Sequence, residues 1–290
     1  MRSQQSVLFG QDLFSVECLP PPPGRTWATK DREQMRAVMS EYDIARAFVP
    51  RPAFNGLVVE PEGERIVADI DENHELVTTS CPLEGYEIGP GEALISAAGG
   101  CMFIVAMGRA LDGRMRMIVS HAGRDSLIDR NRMMRECYGP PELLEEEPER
   151  PYEGVLYAIV ETFQRWSIGV HRLEVQGFFS LPASVFLHPL NHTKYLMSNA
   201  AMLTCIQKRW GNEAAYEVDD PEEGRCIAVS LSKLFLAQAR ELHIAHIGCH
   251  PDIAADGRLA HTRHPDPEMR TKRNCIIFKN IYRGPGWGHN

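Results

Sequence analysis

Ala93-Leu94-Ile95-Ser96-Ala97-Ala98 runs into Gly99-Gly100-Cys101, and Met115-Arg116-Met117-Ile118-Val119 runs into Ser120-His121-Ala122-Gly123. Short apolar or alternating runs of this length read as strands. Met102 to Met107, between them, reads as a strand too, and Leu111-Asp112-Gly113-Arg114 as a turn. The pattern predicts two adjacent strands, with a cysteine entering one and a histidine leaving the other. A thiol and an imidazole so placed can form a thiolate with its base, or two ligands of a metal. The same spacing fits a buried cysteine in a sheet and a histidine at a strand end, because cysteine is among the residues most often buried.

Working outward, Asp31 to Phe48 is expected to be a helix, with Asp31 as a candidate N-cap and Met35, Val38, Met39, Ile44 and Ala47 roughly on one side. Leu57-Val58-Val59, Arg65 to Ile70 and Glu75 to Thr79 are strand candidates. On the far side of His121, Ser126 to Cys137 reads as helix, Gly154 to Trp166 as an amphipathic helix and His171 to Phe179 as a strand. Asn199 to Trp210 reads as helix, Cys226 to Val229 as strand and Ser232 to Leu242 as helix, with Ser230 or Ser232 as N-cap. His243 to Cys249 and Cys275 to Phe278 read as the last strands. Strands and helices interleave throughout, so the expected class is α/β (α+β): a single domain over residues 31–282, with a central mixed sheet flanked by helices.

Residues 1–30 read as a loosely ordered lead-in, because Pro20-Pro21-Pro22-Pro23-Gly24 favours an extended form and cannot be helix or central strand. Gly139-Pro140-Pro141 and the acidic Glu142 to Arg150 read as an exposed insertion near 138–151. Its 142–149 stretch is a candidate contact for a basic protein partner, although a solvated loop accounts for the charge more simply. Residues 283–290 read as an irregular tail.

The chain has 290 residues, formal net charge −8 and 43% hydrophobic residues, enough for a substantial core. The acidic balance argues against nonspecific nucleic-acid binding. Eight cysteines form no C-x-x-C pair, so no zinc ribbon or finger is encoded. Neither a signal-peptide-like start nor a run of membrane-spanning length is present, so the expectation is a reducing, cytoplasmic setting with mostly free thiols. No G-x-G-x-x-G and no G-x-x-x-x-G-K-[ST] occurs, which removes the common nucleotide-fold signatures. His243, His246, Cys249 and His250 crowd together, but on a strand His243 and His246 face opposite sides and cannot easily share a metal.

The order of several segments resembles the laccase-domain or YfiH-like proteins. Asn73-His74-Glu75-Leu76-Val77-Thr78 is similar to that family's A-D-A-L-V-T segment. Ala98-Gly99-Gly100-Cys101 is similar to T-A-D-C, and His121-Ala122-Gly123-Arg124 to H-A-G-W-R-G without its tryptophan. Ser230-Leu231-Ser232-Lys233-Leu234 falls where D-L-P is expected, and Gly248-Cys249-His250-Pro251-Asp252 at a cysteine-rich turn. The resemblance spans roughly residues 50–280. It implies an α/β fold shared with Cys/His deamidase toxins of the cytotoxic necrotizing factor kind. It also implies activity on purine nucleosides, by phosphorolysis or deamination, at a zinc held by three residues. Two of those carry over to Cys101 and His121. The third family ligand is replaced by Asn55, and the aspartate before the cysteine by Gly100. His74 is the candidate substitute ligand.

With zinc, Cys101 is a thiolate ligand, and Arg124 is the candidate contact for an oxyanion or phosphate, because its guanidinium offers a fixed fork of donors. Without zinc, Cys101 and His121 can act as a hydrolase or glutamine deamidase pair, with backbone amides after Gly99-Gly100 holding an oxyanion. A third reading keeps the fold and loses the chemistry, leaving a binding or scaffold protein. Small molecules, nucleoside and phosphate among them, are the expected partners in the first reading.

Overall fold

The computed structural model describes residues 13–52, 58, 65–80, 83–128, 154–191, 193–194, 197–250, 254 and 256–282. The insertion near 138–151, Asn55 and the tail 283–290 lie outside the described residues.

Alternation along one strand sets the architecture. In Met102–Arg109, every residue but the last is buried. Met102, Ile104 and Ala106 join one apolar cluster, and Phe103, Val105 and Met107 join another. A strand buried on both faces must lie inside a layered structure. The same holds for Ala93–Ala98, whose Leu94 and Ala98 face the second cluster while Ala93 and Ile95 face a third.

Two mixed sheets therefore pack face to face. One holds, in spatial order, β1 (Phe14–Leu19), β16 (Asn274–Asn280), β6 (Ala93–Ala98), β2 (Arg46–Phe48), β4 (His74–Thr79) and β3 (Arg65–Asp71). The other holds β15 (His246–Cys249), β9 (Leu173–Phe178), β7 (Met102–Arg109), β8 (Met115–Ala122) and β5 (Gly85–Glu87). Phe14, Leu94, Phe103, Phe178 and Phe278 fill the layer between them. Helix α1 (Arg32–Glu41) covers the outer face of the first sheet through Met35, Val38 and Met39. Helices α2 (Arg124–Leu127), α3 (Val155–Arg165), α4 (Asn199–Trp210) and α5 (Leu231–Glu241) gather on the outer face of the second. Beside them lie the three-stranded β10 (Leu187–Pro189), β14 (Gly224–Val229), β13 (Ala215–Asp220) and the short pair β11 (Thr193–Lys194) and β12 (Met197–Ser198). The class is α/β, as the interleaving of elements predicts. The single central sheet expected from sequence is resolved into two stacked sheets.

Three local expectations change. The helix expected to reach Phe48 stops at Glu41, and Arg46–Phe48 is a strand. Asp43 takes a left-handed conformation (φ 51°) that ends the helix, with Ile44 N–H returning to Met39 O at 2.9 Å. α5 ends the same way: His243 (φ 55°) is the left-handed residue and Ile244 N–H reaches Ala239 O at 3.1 Å. Both are six-to-one closures of the Schellman type, each followed by Ala and a strand. His243 is thus in a turn, and the strand expected from 243 begins at His246. Finally, Phe14–Leu19, inside the expected lead-in, forms β1, paired along its length with β16.

Asp31 caps α1 as expected, its Oδ1 accepting from the N–H of Glu33 and Gln34, both at 3.1 Å. Asp31→Ala should cost about 1 kcal/mol in a denaturant titration. An unchanged midpoint would show that α1 is held by its apolar face alone.

Candidate functional site

The Gly99-Gly100-Cys101 turn carries the chain from the first sheet to the second. Ladder pairing ends at Ala98 opposite Asn274 on one side and resumes at Met102 opposite Ala122 on the other. Gly100 has φ 125°, a backbone region that L side chains rarely adopt, and a Cβ there would lie 2.3 Å from Leu181 Cδ1. An aspartate in that place, as the resembling family has, does not fit this turn.

β7 and β8 pair antiparallel with Phe103 opposite His121, so Cys101 enters one strand beside the histidine that leaves the other. The two side chains meet: the Cys101 thiol is hydrogen-bonded to His121. Both crowd the same point above Gly123, where a Cβ would lie 3.2 Å from His121 Nε2 and 3.5 Å from Cys101 Sγ. His121 is buried, and the edge of its ring meets Phe103 at 5.7 Å between centroids.

Glu84 is the residue sequence reading missed. Its fully buried side chain accepts from His121 Nδ1 at 2.8 Å and from Ser126 Oγ at 3.0 Å. The main chain reinforces this, His121 N–H donating to Glu84 O at 2.8 Å. With Nδ1 held by the carboxylate, Nε2 is the nitrogen left for the thiol. β5 delivers Glu84 to this place because Gly85 packs directly on Ser120 of β8.

The electrostatics follow. Burial is the largest influence on both Cys101 and His121, and it opposes each ion. It is outweighed by the attraction and hydrogen bond between them, and on the histidine by Glu84 as well. The thiol is held below the ordinary cysteine range, and the imidazole is pushed up to about 10. Both shifts favour the charged form of the pair, a thiolate beside an imidazolium.

A cleft of ≈ 260 Å³ opens over this pair, its walls including Pro50, Ser96, Gly100, Phe186, Thr262 and Arg273. Cys101 is partly accessible within it.

The other sequence candidates lie elsewhere. His74 sits in the β3–β4 hairpin, its Nδ1 2.7 Å from Asp71 Oδ1 and its Nε2 3.3 Å from Ser40 Oγ, and it is absent from the cleft wall. Arg124 is buried, its Nε donating to Asp125 at 2.8 Å and its Nη1 to Asn199 at 3.3 Å. It braces α2 against α4 and does not line the cleft. His250 stacks on Phe178 at 4.1 Å.

The donor set tests the zinc expectation. Catalytic zinc takes three protein ligands and leaves one position open. Among the described residues, no group of three or more His, Cys, Asp or Glu could hold a metal ion. At the cleft, Cys101 and His121 offer two donors, and Glu84 is spent on Nδ1 and Ser126. The described residues do not make a three-donor zinc site.

Neither a family model nor a curated protein matches the sequence. Solved structures do match the fold. The Neisseria meningitidis protein NMB0706, of the family DUF152, aligns over 93% of this chain and 95% of that one, with TM-score 0.57 and 9% identity. YlmD from Geobacillus stearothermophilus aligns over 93% and 92%, with TM-score 0.57 and 11% identity. The Bacillus licheniformis hypothetical protein YfiH aligns over 93% and 93%, with TM-score 0.53 and 7% identity. This chain has the YfiH-like fold. In this YfiH-like chain, the six described cysteines form no disulfide. No helix among its described residues is long and apolar enough to cross a membrane.

Proposed function

We propose that this chain is a thiol-dependent hydrolase of small amides, with Cys101 as nucleophile, His121 as acid and base, and Glu84 orienting His121. The observation that carries this reading is the hydrogen-bonded line from the Cys101 thiol through His121 to the buried Glu84 carboxylate. Nucleophile, base and orienting group in sequence are what acyl transfer requires.

In this reading the Cys101 thiolate forms a bond to the amide carbonyl carbon. A backbone amide after Gly99-Gly100, that of Cys101, serves in this reading as the donor to the developing oxyanion. The C–N bond then breaks, and the amine leaves with the proton from His121 Nε2. Water attacks the thioester while His121 removes its proton, releasing the acid and restoring the thiolate. One amide and one water become one acid and one amine.

The nucleoside chemistry implied by the resemblance calls for a third zinc donor, which the described residues do not offer, so the thiol reading is preferred. The test is alkylation with limiting iodoacetamide at pH 6.5, followed by peptide mapping and an assay of ammonia release from primary amides. Cys101 should be labelled ahead of Cys205 and Cys249, and ammonia release should vanish in Cys101→Ser. One zinc per chain, lost in both Cys101→Ser and His121→Ala, would overturn this reading in favour of the metal-centred one. A Cys101 that labels no faster than the other thiols, without zinc, would leave a binding or scaffold protein.

A further inference from the structure

Arg273, immediately before β16, stands at the rim of the same cleft. Among the described residues, its guanidinium donates only to main-chain carbonyls: Nη1 to Lys272 O at 3.1 Å and to Thr271 O at 3.5 Å. Those bonds hold the side chain over the Gly99-Gly100-Cys101 turn. Gly99 gives it room, since a Cβ there would lie 2.9 Å from Nη1. Elsewhere in this chain, arginines near the core are matched by carboxylates, as Arg116 is by Glu87 at 2.6 Å and Arg124 by Asp125 at 2.8 Å. At the cleft, Arg273 lines the wall and, among the described residues, donates to main-chain carbonyls through Nη1.

We propose that Arg273 binds a carboxylate of the substrate, so that the site prefers small amides carrying a carboxylate near the scissile carbonyl over neutral ones. The inference rests on the thiol-hydrolase reading above. A planar carboxylate matches the Nε and Nη2 donors that the carbonyl contacts leave free. The cleft volume, ≈ 260 Å³, limits the ligand to a small molecule. The charge already present favours a monoanion: the His121 imidazolium sits between the thiolate and Glu84, which leaves Arg273 as the cation at the rim to meet one negative charge. Arg273 also lowers the thiol pKa through space, so it serves nucleophile and ligand together.

Iodoacetate and iodoacetamide provide the test, because they deliver the same carbon to the same sulfur and differ in carboxylate against amide. Rates at Cys101 are measured by peptide mapping, at a pH on the plateau of the iodoacetamide profile, for wild type, Arg273→Gln and Arg273→Lys. The ratio of iodoacetate to iodoacetamide rates should fall about tenfold in Arg273→Gln, the scale of a hydrogen bond to a charged group. It should recover in part in Arg273→Lys. A change in thiol ionisation cancels in the ratio, so the ratio reads how the site treats the carboxylate, and Arg273→Lys separates the rim's charge from the forked contact. An unchanged ratio overturns the carboxylate site even when Cys101 is highly reactive. Slow labelling of wild-type Cys101 by iodoacetamide instead overturns the thiolate reading, and the ratio still reports on Arg273.

Discussion

His121→Ala is expected to slow alkylation of Cys101 at pH 6 by about a hundredfold. An ordinary thiol with pKa near 8.5 is ionised to only roughly 0.3% at that pH. Wild-type Cys101 is held below that range by His121, with burial pulling the other way. Removing the imidazolium leaves burial in charge, and the thiol returns to the ordinary range or above it. The sign on the histidine is opposite. Its folded pKa is raised to about 10, so it keeps its proton until the pH climbs through that value. The ion pair is therefore intact between the lowered thiol pKa and about 10. Thiol reactivity should rise through the lower limit and stay flat above it. Turnover, which also needs the imidazolium proton, should fall again near the upper limit, and the two limits belong to the pair. Glu84→Gln keeps an acceptor for Nδ1 and removes the charge, so it should move the upper limit down while leaving the fold in place. Stopped-flow alkylation across pH 4–10 checks the lower limit, and the pH profile of ammonia release checks the upper. Equal acid limbs in wild type and His121→Ala would mean that the histidine does not set the thiol's ionisation.

A larger loss of stability is expected from Gly85→Ala than from the cap substitution in α1. A Cβ at Gly85 would fall 2.5 Å from Val119 O, 2.5 Å from Ser120 Cβ and 2.7 Å from Ser120 Cα. Two of these three are main-chain atoms of β8, which cannot rotate away. β5 must then move off β8, at a cost of about 3 kcal/mol. For a chain of this length that corresponds to roughly 5 °C in Tm. Because Glu84 is the neighbouring residue, the same displacement draws the carboxylate away from His121 Nδ1. Thermal unfolding and thiol reactivity should therefore fall together. A variant that keeps its Tm would show that β5 has slack the packing does not reveal.

The hairpin that brings Cys101 to His121 was legible because its signal is local: apolar runs, one turn, and a thiol and imidazole at the strand ends. Glu84 was not. It lies 37 positions from His121 in the chain, and a lone glutamate before a glycine has no spacing pattern. Arg273 lacks a local signal for the same reason. β1 was hidden because its pairing partner is β16, at the other end of the chain, and a proline run follows it. β13 leaves no strand signal because it is mostly exposed and carries Glu217, Asp219 and Asp220 among its six residues. The overlong reading of α1 has another cause. Asp43 stops the helix by a backbone conformation that side-chain periodicity does not encode. Arg124 shows the converse: its place after His121 marked it as a ligand contact, yet Asp125 and Asn199 hold it inside the packing.

The turn at Gly99-Gly100-Cys101 stitches two stacked sheets together with three residues. Ser96, Ala97 and Ala98 reach the cleft from one sheet and His121 from the other. A molecule seated there touches both halves of the sandwich at its seam. It acts as a rivet through two plates, and by mass action it tightens the whole layered body in proportion to the logarithm of its concentration. Melting curves, read against a series of small carboxylates, thus become a way to find what the seam was built to hold.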